Sequence, residues 1–145
     1  VGQLLAERVG CEFIDSDDLH SSANILKMRS GIPLSDADRW PWLNRIVEVV
    51  QNRTHGQPVI VGCSALKKSH RQILSAISYN LVYLKGHPEI IKERLQKRTG
   101  HFMPSELLDS QFTDLEEPEN ALVVPVAWTP EEIVEQIFKK IIMGL

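Results

Sequence analysis

Cysteine is nearly missing from this sequence: Cys11 and Cys63 are the only two among 145 residues. Each sits in or at the end of an apolar run, as buried free thiols do. With no secretory signal visible, this usage argues for a reduced, cytoplasmic protein and against a zinc site. Long apolar runs are missing too. None approaches the roughly 18–20 residues that span a bilayer, so no membrane partner is expected. Positive charge is scarce, with 16 Lys and Arg against 19 Asp and Glu, a net charge of −3 and a pI near 6.0. A general nucleic-acid binder carries the opposite balance, so any anion site has to be made by a few local basic residues. Repeats, low-complexity tracts and linkers are also lacking. Residues 1–145 therefore read as one domain, long enough to bury a real core.

What is present alternates short apolar runs with helical patterns. Val1 to Val9 repeats apolar residues at i+4 and meets Gly10, a helix closed by a C′ glycine. Cys11, Phe13 and Ile14 predict the first strand. Ser21 and Ser22 cap a short helix from Ala23 to Met28. Ser35 is the N-cap of a second start, and Trp42 to Val50 carries Leu43, Ile46, Val47 and Val50 on one helical face. Val59-Ile60-Val61 is the all-apolar pattern of a doubly covered parallel strand, and Leu66 to Ile77 reads as a basic helix. Asn80 to Lys85 is a strand, and Pro88 at N1 opens a helix running to Lys97. Ser105 caps a helix through about Phe112, Ala121 to Val126 is the last strand, and Thr129-Pro130-Glu131-Glu132 is a capping box. The order α-β-α-α-β-α-β-α-α-β-α predicts an α/β domain whose parallel sheet is covered on both faces.

Four groups fall at strand ends or in loops, where such sheets place ligands. Asp15 and Asp17 stand two apart, so on extended backbone their carboxylates point the same way. One suits a hydrated metal ion and the other the proton of a hydroxyl; an acidic turn feeding a helix is the competing reading. Gly62-Cys63-Ser64-Ala65-Leu66-Lys67-Lys68, with Arg71, offers small residues for close approach and two cations on one helical face, or simply a solvated basic face. Arg94, Lys97, Arg98 and His101 form a cationic hinge suited to a polyphosphate, or a helix C-terminus matched to its dipole. Asp36, Asp38 and Arg39 precede Pro41-Trp42 and serve equally as capping acids with an ion-pair partner. Together these groups suit phosphoryl transfer from a nucleotide to a small polar acceptor.

Several segments then match a known family in order. They are Asp15-Ser16-Asp17-Asp18-Leu19-His20; Lys27-Met28 with Gly31-Ile32-Pro33-Leu34-Ser35-Asp36; Asp38-Arg39 with Pro41-Trp42-Leu43; and Cys63-Ser64-Ala65-Leu66-Lys67-Lys68 with Arg71. Gly100-His101-Phe102-Met103-Pro104 and Ser110-Gln111-Phe112 with Leu115-Glu116 follow. The chain resembles the gluconokinases, P-loop kinases of the shikimate-kinase-like group that phosphorylate D-gluconate at O6 with ATP. The resemblance covers essentially the whole sequence. It implies a P-loop NTPase-like three-layer sandwich with a small lid around 94–104, with ATP as co-substrate and Mg²⁺ as the metal. It further implies that Asp17 orients the acceptor hydroxyl, that Asp15 lies near Mg²⁺ through water, and that Arg39, Lys67, Arg71, Ser64 and His20 contact gluconate. Arg94, Arg98 and His101 would serve the nucleotide. Family members are often dimers, and no stretch here identifies an interface. Ser21, where the family often has proline, and His70, where it often has tyrosine, are small departures.

One departure is large. The family's G-x-x-x-x-G-K-[ST] phosphate loop does not occur in these residues, and with it go backbone donors, a lysine and a hydroxyl for the phosphates and metal. The resemblance places the missing segment just before Val1. It would include the central strand of a sheet ordered 2-3-1-4-5, leaving a gap between the strand ending at Cys63 and the one at Leu81. The expectation is a fragment of a longer kinase, inactive as written. Two other readings stand beside it: a relative without the phosphate loop that binds a sugar acid or a partner, and a kinase for another small acid such as shikimate.

Overall fold

Alternation along a single strand sorts the chain into layers. In the computed structural model, which describes residues 1–54, 56–98 and 107–144, β2 (Val59–Gly62) pairs in parallel with β1 (Glu12–Asp15), Ile14 opposite Val61. Successive side chains of a strand face opposite ways. Val59 and Val61 accordingly pack with Ile14 against Trp42, Leu43, Ile46, Val49 and Val50 of helix α3 (Asp36–Thr54) and Leu74 of α4 (Lys68–Leu74). Ile60 between them joins the opposite cluster, with Leu5 of α1 (Gly2–Val9) and Ile133, Val134 and Ile137 of α7 (Pro130–Ile137). One strand thus has helices on both sides, as its all-apolar sequence requires.

The second strand pair, β3 (Val82–Lys85) with β4 (Leu122–Pro125), is also parallel, and Val82, Leu84, Leu122 and Val124 turn to the α1–α7 side. Among the described residues no ladder joins β2 to β3. The structure therefore holds two two-stranded sheets, with the interruption where the sequence places a gap. The remaining helices are α2 (Ser22–Arg29), α5 (Pro88–Lys97) and α6 (Leu108–Asp114). No described helix is long and apolar enough to cross a membrane.

Capping works as the sequence indicates. Ser35 Oγ accepts from Asp38 N–H at 3.1 Å while Asp38 Oδ2 accepts from Ser35 N–H at 2.9 Å, and Thr129 with Glu132 makes the same reciprocal pair at 3.2 Å each way. Gly10 closes α1 at φ 82°. Helix α3 differs from expectation. It runs unbroken through Pro41, whose missing N–H forfeits only one early bond. Helix α4 is shorter than read, because Lys67 has extended backbone, φ −99° and ψ 152°, and stands outside it as N-cap. The expected cap at Ser105 lies outside the described residues.

Leu43 is completely buried at the centre of the α3 cluster. Leu43→Ala should therefore cost about 2–5 kcal/mol by denaturant unfolding. Leu26→Ala, at a side chain 67% exposed, should stay within about 0.5 kcal/mol.

Candidate active site

β1 stops at Asp15 because the backbone turns there into a 3₁₀ helix, Ser16–Leu19, capped by the Asp15 carboxylate accepting from Asp17 N–H at 3.0 Å. The two acids are therefore not aligned by a common extended strand, as their spacing suggests. The tight turn instead ties the Asp17 backbone to the Asp15 carboxylate. Both line a cavity of about 600 Å³ at the carboxyl ends of β1 and β2, together with His20, Arg39, Ser64 and Arg98. Six of the sequence-derived site residues thus share one space.

Trp42 anchors this wall. Its indole, 3% exposed, donates through Nε1 to Ser16 O at 2.7 Å and stacks on His20 at 4.2 Å, with the rings 15° apart. Burial against it lowers the His20 pKa to about 4; the Asp17 charge works against that shift and the Arg39 charge with it. His20 is consequently neutral at physiological pH. Cys63 keeps some surface in the cavity, yet the atoms packed round its thiol push its pKa up to about 11, so it too is uncharged.

The cations are distributed differently from their sequence spacing. Arg39, 7% exposed, sits on the cavity wall and donates through Nη1 to Asp114 at 3.2 Å, with Asp36 at 3.8 Å. Lys67 and Arg71 are not on the cavity lining, nor on one face. The Lys67 ammonium reaches Asp36 at 3.2 Å, while Arg71 donates to the carbonyls of Ala65, Leu66 and Glu116 at 2.8, 3.2 and 2.8 Å. Asp36 also accepts from the buried His70 Nε2 at 3.2 Å, and His70 and Lys67 hold its carboxyl below its usual pKa. Arg94 and Arg98 also part company. Arg94 bonds Val126 O, whereas Arg98, just past the end of α5, lines the cavity. His101 and most of the expected lid lie outside the described residues.

Sequence reasoning missed Trp42, Asn24, His70 and Asp114. Asn24 had a local signal, four residues after His20 at the start of a helix. Asp114 had none, being 75 positions from its partner Arg39. The donor chemistry of Asp15 and Asp17 fits Mg²⁺, which keeps several waters and takes one or two carboxylates alongside substrate phosphates. No group of three or more metal-binding side chains exists among the described residues.

The depressed His20 pKa sets a pH dependence. Between about 4 and 6.5 the unfolded chain binds the His20 proton and the native one does not, so this residue's share of stability falls as pH drops through that window and is level below it. NMR titration should place the His20 midpoint near 4, and His20→Gln should flatten that part of the stability–pH curve.

Comparison with known proteins supplies the family. The shikimate kinase family model matches residues 1–142. The chain is 39% identical over 163 residues to a gluconokinase of Arabidopsis thaliana, covering 100% of this chain and 86% of the relative. It is 41% identical over 162 residues to a probable gluconokinase of Mus musculus, covering 96% and 88%. The crystal structure of a gluconokinase from Sinorhizobium meliloti 1021 superposes with a TM-score of 0.80 at 44% identity, over 93% of this chain and 79% of that one. With parallel strands, a cavity at their carboxyl ends and relatives of this kind along nearly its whole length, the chain belongs to the gluconokinases of the shikimate-kinase family.

Proposed function

We propose that this kinase transfers the γ-phosphoryl group of ATP to O6 of D-gluconate. The observation that carries this reading is the shared wall of one cavity by Asp15, Asp17 and Arg39. Its charged and hydroxyl-bearing lining suits a small polar acid, and the gluconokinase relatives favour gluconate as that acid.

In this reading the Asp17 carboxylate takes the O6 proton as that oxygen bonds to the γ-phosphorus, and ADP leaves with the bridging oxygen's electrons. Arg39, held by Asp114, faces the gluconate carboxylate. Ser64 and His20 meet its hydroxyls. Lys67 and Arg71 act through what they hold: Lys67 fixes Asp36 beside Arg39, and Arg71 fixes the Ala65–Leu66 backbone that follows Ser64. Arg98, also on the cavity lining, serves the nucleotide. When bound, Mg²⁺ neutralises phosphate charge, and Asp15 is the residue placed to hold it through water. Transfer also draws on the backbone donors, lysine and hydroxyl of a G-x-x-x-x-G-K-[ST] loop, a motif that does not occur in these 145 residues. The reaction belongs in the cytoplasm, where ATP and reduced thiols are available.

The family model favours shikimate as a second acceptor. Titration calorimetry with gluconate and shikimate, and ADP release by the chain with and without an added G-x-x-x-x-G-K-[ST] segment, separate the two. Gluconate should bind and be phosphorylated in preference, and a preference for shikimate overturns the proposal. In the active form Asp17→Asn should lower kcat by about 10²–10⁴, with KM for gluconate within a few-fold.

A further inference from the structure

His20 is a neutral imidazole on the cavity wall, and a neutral imidazole has one nitrogen that donates and one that accepts. Its environment decides which is which. Asn24, 6% exposed on α2, places its side-chain nitrogen 2.9 Å from Asp38 O and 3.3 Å from His20 Nδ1. A backbone carbonyl only accepts, so the atom facing Asp38 has to be the amide nitrogen. That nitrogen carries two hydrogens. One is given to Asp38 O, and the other points at His20 Nδ1, which is left to accept.

We infer that Asn24 is a positioning residue: it holds His20 as the tautomer protonated on Nε2, giving the cavity wall an uncharged donor for a hydroxyl oxygen of a polyhydroxy acid. The arrangement is rigid at each joint. Asn24 lies in the first turn of α2, with its own N–H bonded to the N-cap Ser21 Oγ at 3.1 Å. Asp38 is tied to Lys27 at 2.8 Å and to the start of α3. Trp42 holds the ring plane by stacking. His20 lines the cavity and its Nδ1 edge is taken by Asn24, so Nε2 is the nitrogen left for a ligand. The charged groups acting on the ring are Asp17 and Arg39. A neutral donor there completes hydroxyl recognition without adding a cation that would compete with Arg39 for the carboxylate or pair with Asp17.

The identity of the ligand rests on the proposed function; the tautomer does not. Long-range ¹H–¹⁵N NMR of the protein labelled at histidine should show His20 protonated on Nε2, with Nε2 shifting when gluconate is added. Asn24→Asp, which offers only acceptors, should move the proton to Nδ1 and raise the titration midpoint. Asn24→Ala should give mixed tautomers and weaken gluconate binding about five- to tenfold in calorimetry, the scale of one hydrogen bond. The wild-type spectrum decides even if both variants fail to fold. A proton on Nδ1 in the wild-type protein, or unchanged tautomer and affinity in Asn24→Ala, overturns the inference. The expected tautomer in a protein that neither binds nor phosphorylates gluconate supports the role of Asn24 and counts against the gluconate reading alone.

Discussion

The buried indole of Trp42 is the contact on which the cavity depends. It belongs to the α3 core with Leu43 and Ile46, yet its N–H grips the backbone at Ser16 and its face carries His20. Turns at strand ends are ordinarily the softest part of an α/β domain. Here the 3₁₀ turn bearing Asp17 is fastened to helix α3, whose apolar face packs on β1 and β2. A hydrogen bond to a buried carbonyl is expensive to leave unmade, so the acids and the histidine keep their relative positions as long as α3 stays packed on β1 and β2.

A second set of constraints handles the cations. Arg39 pairs with Asp114 and lies near Asp36, Asp36 takes Lys67 and His70, and Arg71 is spent on three carbonyls. A half-buried array of this kind stores little net stability, since desolvation offsets much of the attraction. Its effect is geometric. Arg39 makes both of its ion-pair contacts through Nη1, and a guanidinium has five N–H donors in a fixed fork. An anion arriving on the cavity side therefore meets a group already oriented by its acids rather than one that has to be ordered on binding.

The sequence was most legible where the physics is local. The Val59–Val61 run announced a strand covered on two sides, and Ser35 and Thr129 announced helix starts, because strand alternation and caps act within a few residues. The location of Asp15 and Asp17 at a strand end was equally readable, but the reason they converge was not. The turn is stabilised by Trp42, 26 positions from Ser16, and no spacing rule reaches that far. Helical periodicity also put Lys67 and Arg71 on one face. It failed because the chain is still extended at Lys67, where the His70 imidazole accepts its backbone N–H at 3.2 Å. The Arg39–Asp114 pair joins elements with no local relation at all.

The charge pattern of the finished cavity carries its own consequence. His20 and Cys63 are both kept uncharged by their surroundings, so the field inside is set by carboxylates at the β1 end and by the guanidiniums of Arg39 and Arg98. A unit charge about 4 Å from one of these is worth about 4 kcal/mol at an effective dielectric of 20. An elongated acid is therefore pulled with its carboxylate toward a guanidinium and pushed with it away from Asp15 and Asp17. In the proposed reaction that preference favours a hydroxyl, rather than the carboxylate, beside the two acids. Orientation of this kind, set by charges the fold already holds in place, lowers the entropic part of a transfer barrier.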